Sequence, residues 1–330
     1  MVADFLASPE LCFDVRSPVE YNQGHIPGAI NLPLFTDSER AEVGTAYKRQ
    51  GQSVAIALGV KIVGPKLFDL LGQAKTYLNG NDSARLYCFR GGMRSGFVSW
   101  FLNFTGLKTT TLKGGYKAFR RFALRKFQEL QEIQLLVLGG FTGAGKTKIL
   151  QELQETCQQV IDLEKIAHHR GSSFGLIPGE KQPSCEQFEN ELAFQLEQLD
   201  YSKPIWVEDE SRLIGSCTIP NGFFDVMKNA PLIVLECQRN ERVRHIKEQY
   251  GSYPVENLLL CSEKIGKRLG SERLKIVRKA LLENDLDKAI DTLLQYYDAT
   301  YQHALIASQK VITTLSKDAF YEQFLPTNFD

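Results

Sequence analysis

The sequence predicts an α/β protein built from two successive parallel-sheet domains, the second ending in a helical region. Three observations carry this. The chain has 330 residues, more than one ordinary core accommodates. Short apolar and β-branched runs alternate with helical segments, the pattern of parallel sheets. Two glycine-rich loops, "CFRGGMRS" at 88–95 and "GFTGAGKT" at 140–147, each stand between a strand pattern and a helix pattern, one in each half.

In the first half, "LCFDV" (11–15) reads as a strand ending in an acid. "GHIPGAINLPLF" (24–35) is a Gly/Pro-punctuated loop running into a second strand. "ARLYC" (84–88) is a third strand, "SGFVSWFLNFTG" (95–106) a helix closed by glycine, and "TTTLKGG" (109–115) a strand ending at a glycine pair. The basic, then acidic, stretch 116–134 reads as a helical connector, placing the domains at 1–128 and 129–330. In the second half, strands are expected at 135–140, 159–163, 204–209 and 231–236. From about residue 257 the pattern is helical.

Hydrophobic residues make up 43% and charged residues 24%, as in soluble globular chains. No apolar run approaches the roughly 18 residues of a membrane span. The start lacks the basic region and apolar stretch of a secretory signal, so the expected location is the cytoplasm. Seven cysteines without CxxC spacing disfavour a disulfide framework and a zinc ribbon. Net charge is zero, so a nucleic-acid partner needs a local basic patch.

Cys88 follows a strand and precedes a helix, where backbone N–H groups and the helix dipole gather anions. Those fields favour the reactive thiolate. Gly91 and Gly92 allow a tight wrap, and Arg90 and Arg94 offer charge to a bound oxyanion. In the second loop, Gly140, Gly145, Lys146 and Thr147 satisfy G-x-x-x-x-G-K-[ST], a phosphate loop in its required strand–loop–helix context, with Gly143 a further candidate for diphosphate binding. Lys146 is expected to reach terminal phosphate oxygens and Thr147 to bind Mg²⁺. Asp162, Glu208 and Asp209, at strand ends, are candidate metal acids or plain surface acids. Arg239 and Arg242 either approach a phosphate or form a solvated basic face.

"DVRSPVEYNQGHIPGAINLP" (14–33) with "CFRGGMRS" resembles the rhodanese fold over about residues 5–125. In that family the loop cysteine carries transferable sulfur. The segments at Asp14–Arg16 and Gly24–His25 would then support the sheet and loop. Here Cys88 and Arg94 frame a C-x5-R loop, one residue longer than in sulfurtransferases of this fold and similar in length to Cdc25-like phosphatases. Phosphatase chemistry and transfer from a phosphate-bearing chalcogen donor both remain open on that ground.

Adding "DLEKIAHHRGSSFG" (162–175), "QPSCEQFEN" (182–190) and "EDESRLIG" (208–215), nearly the whole chain resembles the tRNA 2-selenouridine synthase family. That resemblance implies modification of wobble uridine 34 in tRNAs of Lys, Glu and Gln anticodon type. The 2-thiouridine sulfur is geranylated from geranyl diphosphate, then replaced by selenium from selenophosphate. It assigns Cys88 the selenium-carrying role. Lys117, Arg120, Arg121 and Arg125 are the candidate tRNA contacts, with Tyr116, Phe119 and Phe122 either stacking on bases or buried. The competing readings are a persulfide sulfurtransferase, a phosphatase with a nucleotide-binding domain, and a nucleotide-gated RNA-binding module without catalysis.

Overall fold

Parallel strands need crossovers, and the chain supplies them as helices between short, buried apolar runs. The computed structural model describes residues 1–130, 133–172, 174–175, 179–308 and 310–325. Its contacts divide the chain into two units: Met1–Lys126 with Glu189–Glu197, and Phe127–Phe188 with Gln198–Asp330.

The strands in chain order are β1 (Leu11–Asp14), β2 (Ile30–Asn31), β3 (Ser83–Tyr87), β4 (Lys108–Thr111), β5 (Leu135–Gly140), β6 (Gln159–Ile161), β7 (Ile205–Glu208), β8 (Leu213–Ile214), β9 (Cys217–Thr218), β10 (Leu232–Glu236) and β11 (Ile312–Ser316). In the first unit the order is β2-β1-β3-β4, every pair parallel. Phe13 and Leu86 lie opposite each other in the β1–β3 register, and both are fully buried. Between β2 and β3 run three helices: Asp37–Gln50, Gln52–Val63 and Leu67–Leu78. The first is capped by Thr36, whose side chain accepts from the Glu39 N–H while the Glu39 carboxylate accepts from the Thr36 N–H. That crossover had no assignment from the sequence.

The connector helix is Gly115–Lys126, shorter than the stretch read from the sequence. Tyr116, Phe119 and Ala123 form its buried face, at i, i+3 and i+7. Tyr116 and Phe119 are thus core residues rather than stacking platforms.

In the second unit the sheet order is β11-β10-β5-β7-β6, again all parallel. β5 is central, so the loop leaving it opens between its two neighbours at the carboxyl edge, the usual ligand position in open α/β sheets. The sequence reading of a helical tail holds for Val255–Lys264, Ser271–Leu282 and Leu286–Ala307. It missed β11, where "ITTLS" extends the sheet in register with β10, Leu232 opposite Ile312. β-branched residues favour that extended edge. The helix Lys317–Phe324 then folds back, with Phe320 and Phe324 edge-on to the buried Trp206 ring. Among the described residues no helix is long and apolar enough to cross a membrane.

Candidate active site

Cys88 lies between the end of β3 and the helix Met93–Phe104. Its loop is fixed from outside by the connector helix. The N–H groups of Tyr116 and Lys117, which open that helix, donate to the Cys88 and Phe89 carbonyls, each at 2.9 Å. The close approach demands glycine. Gly91 and Gly115 have φ of +63° and +56°. A Cβ on Gly115 would stand 2.2 Å from the Cys88 carbonyl oxygen, and one on Gly91 would stand 2.4 Å from the Leu112 carbonyl oxygen. The glycine pair at 114–115, read from sequence only as a strand end, is therefore the buttress of the cysteine loop. By contrast, a Cβ at Gly92 would meet nothing within 4 Å, which leaves that side open.

The thiol has a partner that the sequence reading overlooked. Cys88 Sγ is 3.2 Å from the hydroxyl of Ser95, which is itself buried and 3.2 Å from the Gly92 carbonyl oxygen. Burial pushes the Cys88 thiol up. The Ser95 hydroxyl, the N–H groups of Ser95 and Gly92 and the Arg94 charge outweigh it, and the thiol sits below the ordinary cysteine value. Cys12, buried on β1 without such donors, is pushed up to about 12. Between these two buried cysteines, hydrogen bonding at a helix start separates the lowered thiol from the raised one.

Arg94 donates to Glu20 at 2.6 Å, so its charge is already partnered. Burial raises the Glu20 carboxyl, but Arg94 and the Ser17 N–H hold it below the usual range. Arg90 is exposed at the loop tip. Arg16 has the supporting role expected of it: buried, bidentate to Asp14, donating to the Gly24 carbonyl at 2.6 Å and stacked 3.9 Å over Tyr116.

In the second unit, the phosphate loop joins β5 to the helix Lys146–Glu155. Gly143 and Gly145 take φ of +85° and +89°. The loop is held by three side chains distant in sequence. Arg242, buried and paired with Asp298, donates to the Thr142 carbonyl at 2.8 Å. His245 Nδ1 lies 2.9 Å from the Gly143 carbonyl, and the Tyr301 hydroxyl accepts from the Gly140 N–H at 2.9 Å. The solvated-face reading fails for Arg242, which is a brace for the loop. Arg239 pairs with Asp291 and Asp298. Lys146 Nζ folds back to the Gly140 carbonyl at 3.2 Å.

Above the loop lies a cavity of about 870 Å³, lined by residues 142–147 together with Glu164, Glu208, Asp209 and Glu210. Asp162 does not line it: its side chain caps the helix Leu163–Ala167 through the Lys165 N–H. Asp209 is bound by Lys310 at 2.8 Å and by the Tyr301 hydroxyl. Glu208 is buried; one oxygen accepts from the Glu164 N–H at 2.7 Å and the other has no partner in the described structure. Among the described residues no group of three or more His, Cys, Asp or Glu stands at metal-holding spacing.

The sequence reading also missed a carboxyl pair. Glu164 and Glu210 converge beside Gly171, where a Cβ would stand 2.6 Å from Glu164 Oε1 and 2.7 Å from Glu210 Oε1. Burial and then the Glu210 charge push Glu164 up to about 8, with Lys146 opposing. Burial also raises Glu210, and raises Glu208 well above its ordinary value. Two buried carboxyls in hydrogen-bonding contact share a proton.

Of the candidate tRNA contacts, Arg120 is consumed by Glu189 at 2.5 Å and Asn190 at 2.6 Å. Lys117, Arg121 and Arg125 are exposed, and their i, i+4, i+8 spacing puts them on one face. Among the described residues they have no ion pair.

A cysteine cradle on one parallel sheet and a phosphate loop on another define a rhodanese-like domain followed by a P-loop domain of AAA type. The rhodanese-like domain model matches residues 2–122, and the model of the tRNA 2-selenouridine synthase AAA domain matches residues 133–328. Proteins named tRNA 2-selenouridine synthase are similar over most of the chain. The one from Pseudomonas syringae pv. syringae is 39% identical over 324 residues, 88% of this chain and 87% of that protein. The one from Psychromonas ingrahamii is 35% identical over 322 residues, with the same two coverages. That from Aeromonas salmonicida is 44% identical over 241 residues, 72% of this chain and 64% of the relative. The chain belongs to the tRNA 2-selenouridine synthase family, an enzyme family of tRNA modification.

Proposed function

We propose that the chain converts 2-thiouridine at wobble position 34 of tRNAs with Lys, Glu and Gln type anticodons into 2-selenouridine, by geranylation and then selenium exchange. One observation carries the reading: each sheet ends in its own anion cradle, one holding a thiol below its ordinary pKa, the other a lysine facing a proton-sharing carboxyl pair.

In the first step the thiouridine sulfur attacks C1 of geranyl diphosphate. The S–C bond forms, the C–O bond breaks, and diphosphate leaves with the electron pair. The phosphate loop and Lys146 stabilise that departing charge. The ionised member of the Glu164–Glu210 pair takes the proton released from N3, a task suited to a carboxyl near 8. Mg²⁺ usually keeps waters and binds through substrate phosphates plus one or two protein oxygens. Thr147 and Glu208, with its unpartnered oxygen, fit that demand, and the ion would supply further charge to the diphosphate. Asp162 and Asp209 have other partners and drop out of the set.

The second step belongs to Cys88. Taking selenium directly onto sulfur would require a two-electron oxidant. Attack by the thiolate on the phosphorus of selenophosphate does not: the S–P bond forms, the P–Se bond breaks, and hydroselenide leaves with the pair. Hydroselenide then adds to C2 of the S-geranylated base and expels geranylthiol. Water hydrolyses the S–P bond and restores Cys88. The extra residue of the C-x5-R loop supports a phosphate-bearing donor here. Lys117, Arg121 and Arg125 supply phosphate contacts to the tRNA.

Mass spectrometry of tRNA nucleosides from cells lacking the protein tests the reading. Loss of both selenouridine and geranylated thiouridine is expected; persistence of both overturns it.

A further inference from the structure

Charge is balanced over the chain and lopsided in one place. Residues 264–279 hold seven Lys and Arg against a single acid, Glu272, whereas the whole chain carries 39 of each sign. The segment folds with its apolar residues inward. Gly266–Leu269 and Ser271–Leu282 are helices that meet at Gly270, where φ is +89°. Leu269, Val277, Ala280 and Leu281 are buried in one apolar cluster with Leu258 of the preceding helix. The cations are left outside. Lys275, Arg278 and Lys279 reach Glu272, Glu263 and Glu283 at 2.9, 3.6 and 3.8 Å, in exposed pairs that salt screens and that contribute little. Lys264, Lys267, Arg268 and Arg273 are exposed and have no ion pair among the described residues. The patch runs toward the phosphate cavity. Lys264 is near enough to His169 that its charge adds to burial in lowering that imidazole. The next residue, Arg170, lines the cavity and donates to the Tyr253 hydroxyl at 2.9 Å, and Tyr253 packs on the same apolar cluster.

A dense field of one sign without local partners attracts a polyanion. Two features decide which one. Residues 254–295 contain no Phe, Tyr or Trp. Single-stranded RNA is held by stacking its bases on aromatic rings, whereas double-stranded RNA is held through its phosphates and 2′-hydroxyls. An anionic membrane would be held by an apolar face beside the charges. Here that face is occupied by the core, and the exposed Ile276 and Leu282, six residues apart, point about 120° from each other around the helix. We propose that Lys264, Lys267, Arg268 and Arg273 form a docking surface for the phosphate backbone of a double-helical arm of the tRNA. This surface belongs to the second unit, whereas Lys117, Arg121 and Arg125 belong to the first. It rests on tRNA being the substrate and on no step of the geranyl or selenium chemistry.

The test is salt-dependent binding of tRNA, an RNA duplex and single-stranded RNA of the duplex's length to the full chain. Lys267→Glu with Arg268→Glu weakens tRNA and duplex binding at low salt and lowers the salt slope for both by about 2. It leaves the binding of single-stranded RNA and of inorganic diphosphate unchanged. Lys264→Gln with Arg273→Gln moves the slope the same way and serves if the first variant fails to fold. An unchanged tRNA slope in a folded variant overturns the surface and leaves the substrate reading standing. An equal drop on single-stranded RNA overturns the duplex assignment. Lost binding to phosphatidylserine vesicles with unchanged tRNA binding gives the patch to a membrane and overturns the proposal. No tRNA binding by the unaltered chain removes the substrate reading as well.

Discussion

Replacing Ser95 by alanine removes one hydroxyl from the Cys88 thiolate and nothing else from the loop's covalent frame. The hydroxyl is 3.2 Å from Sγ and buried, so water does not substitute for it freely. A hydrogen bond to a charged group contributes about 1.5–3 kcal/mol, so the thiolate population at neutral pH falls roughly 10- to 100-fold. A less acidic thiol yields a more nucleophilic thiolate, with a Brønsted slope of about 0.4–0.5, which returns nearly half of that loss. The net drop in alkylation rate is about 4- to 20-fold. The assay is the pH profile of iodoacetamide alkylation at Cys88, read by peptide mass spectrometry, with buried Cys12 as internal reference. The profile of Ser95→Ala moves to higher pH. Once both proteins are fully ionised, the curves cross and the variant reacts at least as fast as the unaltered chain. Superimposable profiles would refute the assignment of Ser95 as the group that counters burial.

Gly115→Ala forces a Cβ onto the Cys88 carbonyl at a left-handed backbone position, at a cost of about 1–3 kcal/mol from the backbone alone. A lower denaturation midpoint together with a changed Cys88 alkylation profile is expected. Glu164, at about 8 when folded against 4.5 ordinarily, binds more protons folded than unfolded. The stability it contributes is therefore present at low pH and lost as pH rises through that window. Glu164→Gln should flatten this loss and gain on the order of 4 kcal/mol near pH 8, read by thermal unfolding across pH. Arg121→Glu with Arg125→Glu should weaken tRNA binding and reduce the salt slope by about 2, whereas Arg120→Gln should lower stability with little change in slope, both checked by salt-dependent titration.

Both glycine-rich loops were legible because each is a contiguous stretch: strand, glycine-rich turn and helix follow one another within ten residues, so the local structure can be read directly. What holds the cradles was not legible. Ser95 stood inside a recognised motif, yet its contact with Cys88 depends on the first turn of a helix bringing residues seven apart together. Glu20, 74 residues away in sequence, reaches Arg94 from the helix that follows the neighbouring strand β1, and Arg242, His245 and Tyr301 reach the phosphate loop from 100 or more residues downstream. Such partners carry no local signal. The same limit explains Asp162 and Asp209. A strand-end acid looks the same in sequence whether it awaits a metal, caps a helix or pairs with Lys310. β11 was missed because "ITTLS" is brief and flanked by helical text, and its strand character is realised only by pairing with β10.

The most direct measurement uses purified Cys88→Ser and Lys146→Ala proteins with 2-thiouridine tRNA, geranyl diphosphate and selenophosphate, followed by nucleoside mass spectrometry. The two-cradle mechanism predicts that Cys88→Ser accumulates S-geranyl-2-thiouridine without selenouridine, and that Lys146→Ala leaves 2-thiouridine unaltered. Geranylated product from Lys146→Ala, or selenouridine from Cys88→Ser at the unaltered protein's level, would contradict it.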